Sequence, residues 1–121
     1  TAYRRQRQMC IRDRICIDTS VLYRVLENVF NNAMRYAKQC INLDVSLNGQ
    51  KLLFAIVDDG DGFSDETLSE QRKLLLAKAS EDGHLGMGLA ISRILCKKHG
   101  GSLEIGNNEM HNAVVKIIFS V

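Results

Sequence analysis

No apolar run in this 121-residue chain approaches the ~18–20 residues a helical membrane span needs, and none forms the short apolar core of a secretory leader. The stretch therefore reads as soluble, cytoplasmic and without membrane contact of its own. Its four cysteines, Cys10, Cys16, Cys40 and Cys96, include no CxxC pair, which removes a clustered zinc site and a disulfide framework. Reduced thiols are expected, several of them in the core. Proline and tryptophan are absent, so no histidine here is followed by a proline. A broad basic surface is lacking too. The net charge of +2 arises because residues 1–14 hold five arginines and one aspartate, which leaves 15–121 slightly acidic. That balance speaks against nucleic acid as a partner.

What is present is enough for one two-layer domain, since 45% of the residues are hydrophobic and the length is too short for two cores. Residues 1–14 show no periodicity and are set apart as a disordered linker or foreign segment. The domain is assigned to 15–121. Arg14–Asp18 alternates like a short edge strand. From Asp18 or Thr19, possible N-caps, to about Lys38, the residues Leu22, Val25, Leu26, Val29, Ala33 and Ala37 recur at helical spacing. Alternation from Ile41 to Leu47, a turn at Asn48-Gly49 and an apolar run Leu52–Val57 predict a hairpin whose second strand is central. A helix from Asp65 to about Ala79, capped by Ser64, and another from Gly88 to His99 follow. Strands Leu103–Gly106 and Ala113–Val121 close the chain around Asn107-Asn108. The order β, α, ββ, α, α, ββ implies an α/β two-layer sandwich, with a mixed, mostly antiparallel sheet covered on one face by about three helices.

Three constellations carry chemistry. Asn28, Asn32 and Arg35 fall at i, i+4 and i+7, hence on one stripe of the first helix at the rim of its buried face. Val25, Val29 and Tyr36 lie on the core side of that stripe, and Arg24, Glu27, Asn31 and Lys38 on the solvent side. An asparagine oxygen there can fill a Mg²⁺ position and Arg35 can face phosphate; a solvated polar edge gives the same pattern. Asp58-Asp59-Gly60-Asp61-Gly62-Phe63 ends a hydrophobic strand. A carboxylate at that end can accept from an amine such as adenine's, and the glycines admit close backbone approach. An acidic turn or part of a calcium loop is the other reading, although Phe63 and Ser64 interrupt the acidic run a calcium loop needs. Gly83-His84-Leu85-Gly86-Met87-Gly88-Leu89 runs into a helix, where N–H groups face anions; a plain flexible connection fits equally.

Taken together, in this order and about 25 residues apart, the three stretches resemble the N box and two glycine boxes of the histidine-kinase branch of the gyrase, heat-shock chaperone, histidine kinase and MutL ATPase superfamily (the Bergerat fold). The resemblance covers ENVFNNAMRYA (Glu27–Ala37), VDDGDGF (Val57–Phe63), GHLGMGLAIS (Gly83–Ser92) and KKHGGSLEI (Lys97–Ile105). It implies ATP and Mg²⁺ as cofactors, with Asn32 on the metal and Asn28 supporting the phosphate and metal site. Arg35 and Tyr36 would meet phosphates or ribose, Asp58 the adenine amine, and Gly60 and Gly62 the ring face, with Phe63 beside them. Gly86 and Gly88, with Leu85, Met87 and Leu89, would meet the triphosphate through a closing lid.

Hydrolysing and serine-phosphorylating members of that superfamily place a glutamate four residues before the metal asparagine. Here that position is Asn28, and Glu27 lies about 100° away around the helix, out of reach for a general base. Imidazole is already a nucleophile and needs less help. The resemblance thus implies donation of the γ-phosphate to a histidine of a separate dimerisation and phosphotransfer domain, with a response regulator downstream and this piece monomeric. His84, His99 and His111 fall in a lid, a helix end and a hairpin, and none precedes a proline as an acceptor would. The alternatives are a nucleotide-responsive regulatory module without catalysis and a hydrolytic ATPase. One departure is the phenylalanine-containing box, replaced by QRKLLLAKASEDG with Leu74–Leu76 as substitute. The other is His84, where many relatives have glycine; it reads as a water-exposed lid residue.

Overall fold

A computed structural model describes residues 16–73 and 85–121, without the side chains of 70–73 and 85–87. The described chain runs α1 (Thr19–Tyr36), β1 (Ile41–Asn48), β2 (Lys51–Asp58), α2 (Asp65–Lys73), α3 (Leu85–Lys98), β3 (Gly101–Asn107) and β4 (Ala113–Ser120). The four strands form one sheet in the order β1-β2-β4-β3, every neighbour antiparallel.

α1 begins where Asp18 accepts from the N–H groups of Ser20 and Val21, and it ends at Ala37, whose backbone is extended. Its buried residues Val25, Val29 and Ala33 repeat every four positions, which lays one stripe on the sheet. On β2 the buried residues are Leu52, Phe54, Ile56 and Asp58, and on β4 Ala113, Val115, Ile117 and Phe119. The period of two assigns these eight to one face. Leu89 and Cys96 of α3 and Leu103 of β3 complete the core between helices and sheet. Asp58 therefore keeps the parity of a core residue, so the strand itself carries a carboxylate to the helix side.

Several expectations shift. Cys16–Asp18 form no strand, because Asp18 is committed to the helix cap; residues 14 and 15 lie outside the described residues. Asn48 pairs with Lys51, so the tight turn is Gly49-Gln50 rather than Asn48-Gly49. Gly49, at φ +65°, takes the first turn position, where a left-handed angle suits glycine. Gln50 is held by Val121, whose N–H donates to its carbonyl at 2.8 Å. α2 is described only to Lys73, and the expected continuation to Ala79, Leu74–Leu76 and His84 lies outside the described residues. α3 starts at Leu85, three residues earlier than read, so Gly86 and Gly88 are in its first turn. Of the described cysteines only Cys96 is in the core, its thiol pushed up to about 11 by burial; Cys16 and Cys40 are exposed.

Candidate functional site

α1 joins the three motifs. From its middle, Asn28 donates its amide N–H groups across to α3, to Ser92 Oγ at 3.0 Å and the Gly88 carbonyl at 3.4 Å. Ser92 is fully buried, so Asn28 satisfies a hydroxyl that water does not reach. The amide end of Asn28 is thus spent on the second glycine stretch, and its oxygen makes no hydrogen bond among the described residues. One turn on, Asn32 is half-buried and makes no hydrogen bond among the described residues. Arg35 is exposed.

Tyr36 departs from its expected place on the core side, with 47% of it exposed. The helix ends here, and the Tyr36 carbonyl rather than the ring packs inward: a Cβ added to Gly60 would stand 2.3 Å from that oxygen. Real Cβ atoms do not come so close to an oxygen, so Gly60 is required by the protein's own backbone. The same holds at Gly62, φ +87°, where an added Cβ would lie 2.4 Å from the His111 carbonyl. The close approach expected of these glycines therefore has an occupant within the fold. Gly88, by contrast, has nothing within 4 Å of an added Cβ among the described residues.

The paired carboxylates at the end of β2 do opposite work. Asp58 is 5% exposed, and its Oδ1 accepts from the Gly60 N–H at 2.8 Å. Among the described residues Oδ2 has no partner. Burial raises the Asp58 carboxyl above the usual range, partly offset by the Gly60 N–H, with the charge of Asp59 adding to the rise. Asp59 accepts from the backbone N–H groups of Gln39 and Lys38 at 2.7–3.0 Å. Those donors, Gln39 first, hold its carboxyl below the usual range against the opposing effect of desolvation. Asp59 fastens the exit of α1 to the strand end, and the exposed pair Lys38–Asp61 at 3.0 Å spans the same junction.

The β3–β4 hairpin supplies residues that motif reading passed over. Asn107 accepts from the Phe63 N–H at 2.8 Å and donates to the Phe63 carbonyl at 2.9 Å. Asn112 donates to the Gly60 carbonyl at 2.9 Å. His111, at φ +64°, brings Nδ1 to 2.9 Å from the Asp61 carbonyl, a contact that requires the proton on Nδ1. His111 is in the surface turn expected of it, yet its ring touches the acidic loop. In the sequence Asn107-Asn108 was read only as the point around which the last two strands turn.

Phe63 is buried and Leu89 fully so, which makes both part of the packing under the loop and α3. Gly86 lies in the first helical turn of α3 with Leu85 and Met87, where backbone N–H groups lack helical partners. Among the described residues no three of His, Cys, Asp and Glu gather as a metal cluster, and no helix is long and apolar enough to cross a membrane.

The profile of the family described as histidine kinase-, DNA gyrase B-, and HSP90-like ATPase matches residues 17–121. The chain is 28% identical to the sensor histidine kinase SpaK of Bacillus subtilis over 106 residues, covering 84% of this chain and 23% of that protein. It is 30% identical to the nisin biosynthesis sensor protein NisK of Lactococcus lactis over 103 residues, 81% of this chain and 23% of that protein. The crystal structure of full-length ShkA in complex with AMPPNP superposes with a TM-score of 0.71 at 26% identity, over 87% of this chain and 22% of that chain. The chain thus spans about a quarter of the length of these relatives. With the family profile running from the cap of α1 to the last residue, and with all three motifs brought together on α1, this chain belongs to the histidine kinase-, DNA gyrase B- and HSP90-like ATPases, as an ATP-binding domain of the sensor-histidine-kinase type.

Proposed function

We propose that this domain, taken as 15–121, binds ATP and gives its γ-phosphate to a histidine on a separate dimerisation and phosphotransfer domain, from which a response regulator receives it. Residues 1–14 are then a linker or foreign segment, and the setting is the cytoplasm. The observation that carries the reading is Asp58: a buried carboxylate with one oxygen fixed by Gly60 and the other without a partner among the described residues. An acceptor so held suits the exocyclic amine of adenine. Asn32 and Arg35, on the rim of the same helix, would face the phosphates, with Tyr36 near phosphate or ribose. The N–H groups of Leu85, Gly86, Met87 and Gly88 open the first turn of α3 toward anions. Asn28 supports that end by holding α3 in place.

A Mg²⁺ ion fits this donor set, since Asn32 offers one neutral oxygen and phosphate oxygens and water supply the rest. It would neutralise charge on the phosphates, and this chain's part is positioning and electrostatics. In the transfer, an imidazole nitrogen bonds the γ-phosphorus as the bond to the β–γ bridging oxygen breaks. ADP leaves with the electron pair, and the imidazole proton passes to solvent. Nothing in the position of Asn28 activates a water, so hydrolysis is disfavoured.

Calorimetry with ATP and a non-hydrolysable analogue, with and without Mg²⁺, tests the nucleotide site. Asp58→Asn keeps an acceptor for Gly60 but turns its other arm into a donor, and should weaken binding roughly tenfold to a hundredfold. Asn32→Ala should remove the Mg²⁺ dependence. Transfer of label from ATP to a supplied histidine-bearing domain, with none on His84, His99 or His111 when the domain is alone, tests the kinase step. Tight ATP binding with no transfer would favour the regulatory module, and steady phosphate release a hydrolase.

A further inference from the structure

We propose that the β3–β4 hairpin is the positioning element of the nucleotide site, with Asn107, His111 and Asn112 acting through the backbone of Gly60–Phe63 and not on the nucleotide itself. The inference rests on the ATP-binding reading and says what holds the base end of that site in shape. The loop after Asp58 has little internal support: the Gly60 N–H is taken by Asp58, but the carbonyls of Gly60, Asp61 and Phe63 and the N–H of Phe63 all meet hairpin side chains. Backbone groups left unpaired there would lose fixed direction, and four of them are anchored by three residues some 44 to 52 positions away.

The hairpin is built rigidly enough to do this. Asn108 Oδ1 accepts from the N–H groups of Met110 and Asn112 at 3.0 and 2.9 Å. The Asn108 N–H bonds the Asn112 carbonyl, and the His111 N–H bonds the Asn108 carbonyl. Strand pairing continues directly from this loop with Asn107 opposite Ala113. His111 sits in the left-handed region, uncommon for a residue other than glycine, and that conformation goes with the ring placed against Asp61. Gly62 fits only because its missing Cβ leaves room for the His111 carbonyl. Hairpin and loop therefore interlock in both directions.

The test measures ATP and ADP dissociation constants at 10 °C, well below unfolding, with Tm and binding stoichiometry, for wild type, Asn112→Ala, Asn107→Ala and His111→Asn. The last keeps a residue tolerant of positive φ. Asp18→Ala, which removes the cap of α1 far from the loop, is the control for lost stability. Positioning predicts affinity roughly three- to tenfold weaker for Asn112→Ala, and at least as weak for Asn107→Ala. The factor should be the same for ATP and ADP because the defect lies at the base end, and Asp18→Ala should lower Tm with its dissociation constants unchanged. Hairpin variants that lose Tm yet bind like wild type would overturn the inference while leaving the nucleotide site standing, provided Asp58→Asn binds weakly. Failure of wild type itself to bind ATP would overturn both.

Discussion

Asp58 and Asp59 are adjacent and chemically identical, yet the fold treats them as opposites, and pH separates them. The Asp58 carboxyl is raised by burial, so the folded state holds its proton more firmly than the unfolded state, and folding carries a penalty once the carboxyl ionises. Asp58→Asn should therefore have a higher Tm than wild type at pH 7, with the gap closing as pH falls toward the unfolded carboxylate range near roughly 3.9. Asp59 is lowered by the N–H groups of Gln39 and Lys38, so its contribution is present above that range and lost as pH falls through its lower folded value. Asp59→Ala should have a reduced Tm at pH 7, and the deficit should shrink in acid. Thermal melts between pH 3 and 7 check both signs; equal behaviour of the two variants would contradict the assignment. Asp58 was legible as an acceptor because a hydrophobic strand ends on it. The work of Asp59 was not, because its partners are main-chain groups about twenty residues earlier, and sequence does not display them.

At the scale of elements, the junction of α1 and α3 rests on a polar contact inside an apolar seam. Asn28→Ala leaves Ser92 Oγ buried without its donor, at a cost of about 1–2 kcal/mol. Adding Ser92→Ala removes the stranded hydroxyl and should recover part of that loss, so a double-mutant cycle in urea should give a coupling of about 0.5–1.5 kcal/mol. Additive effects would mean that the contact carries no energy of its own. Helical periodicity placed Asn28 at the rim of the buried face, where it is half-buried, but named no protein partner for it, because a lone helix has no neighbour. What lies across from a residue is decided by packing, as is the ring of Tyr36, turned outward where α1 ends. Gly86 was read before the helix for a related reason: glycine is a poor helix former, and the pattern rule began α3 only at Gly88.

For the whole molecule, a ligand that binds only the folded chain stabilises it by mass action. ATP at about a hundred times its dissociation constant should add about 2.7 kcal/mol and raise Tm in the presence of Mg²⁺, with a far smaller rise at the same concentration for Asp58→Asn. Differential scanning calorimetry over an ATP series measures it, and a Tm indifferent to ATP would count against the site. From α1 onward the element order, the two-layer architecture and the order of the motifs were readable along the chain, because each has a local signature. The return of the last hairpin onto the acidic loop was not, since no local pattern tells Asn107 that Phe63 is its partner. One further property follows from the sheet order β1-β2-β4-β3. The last of the described strands, β4, is an inner one, bonded to β2 on one side and β3 on the other. While the chain is being synthesised, β2 and β3 emerge first and wait with open edges, and neither the sheet nor the seat for the acidic loop can close until residues 113–120 have left the ribosome. Closure of this sheet is thereby timed by β4, and a chaperone that shields strand edges would act on it in that interval.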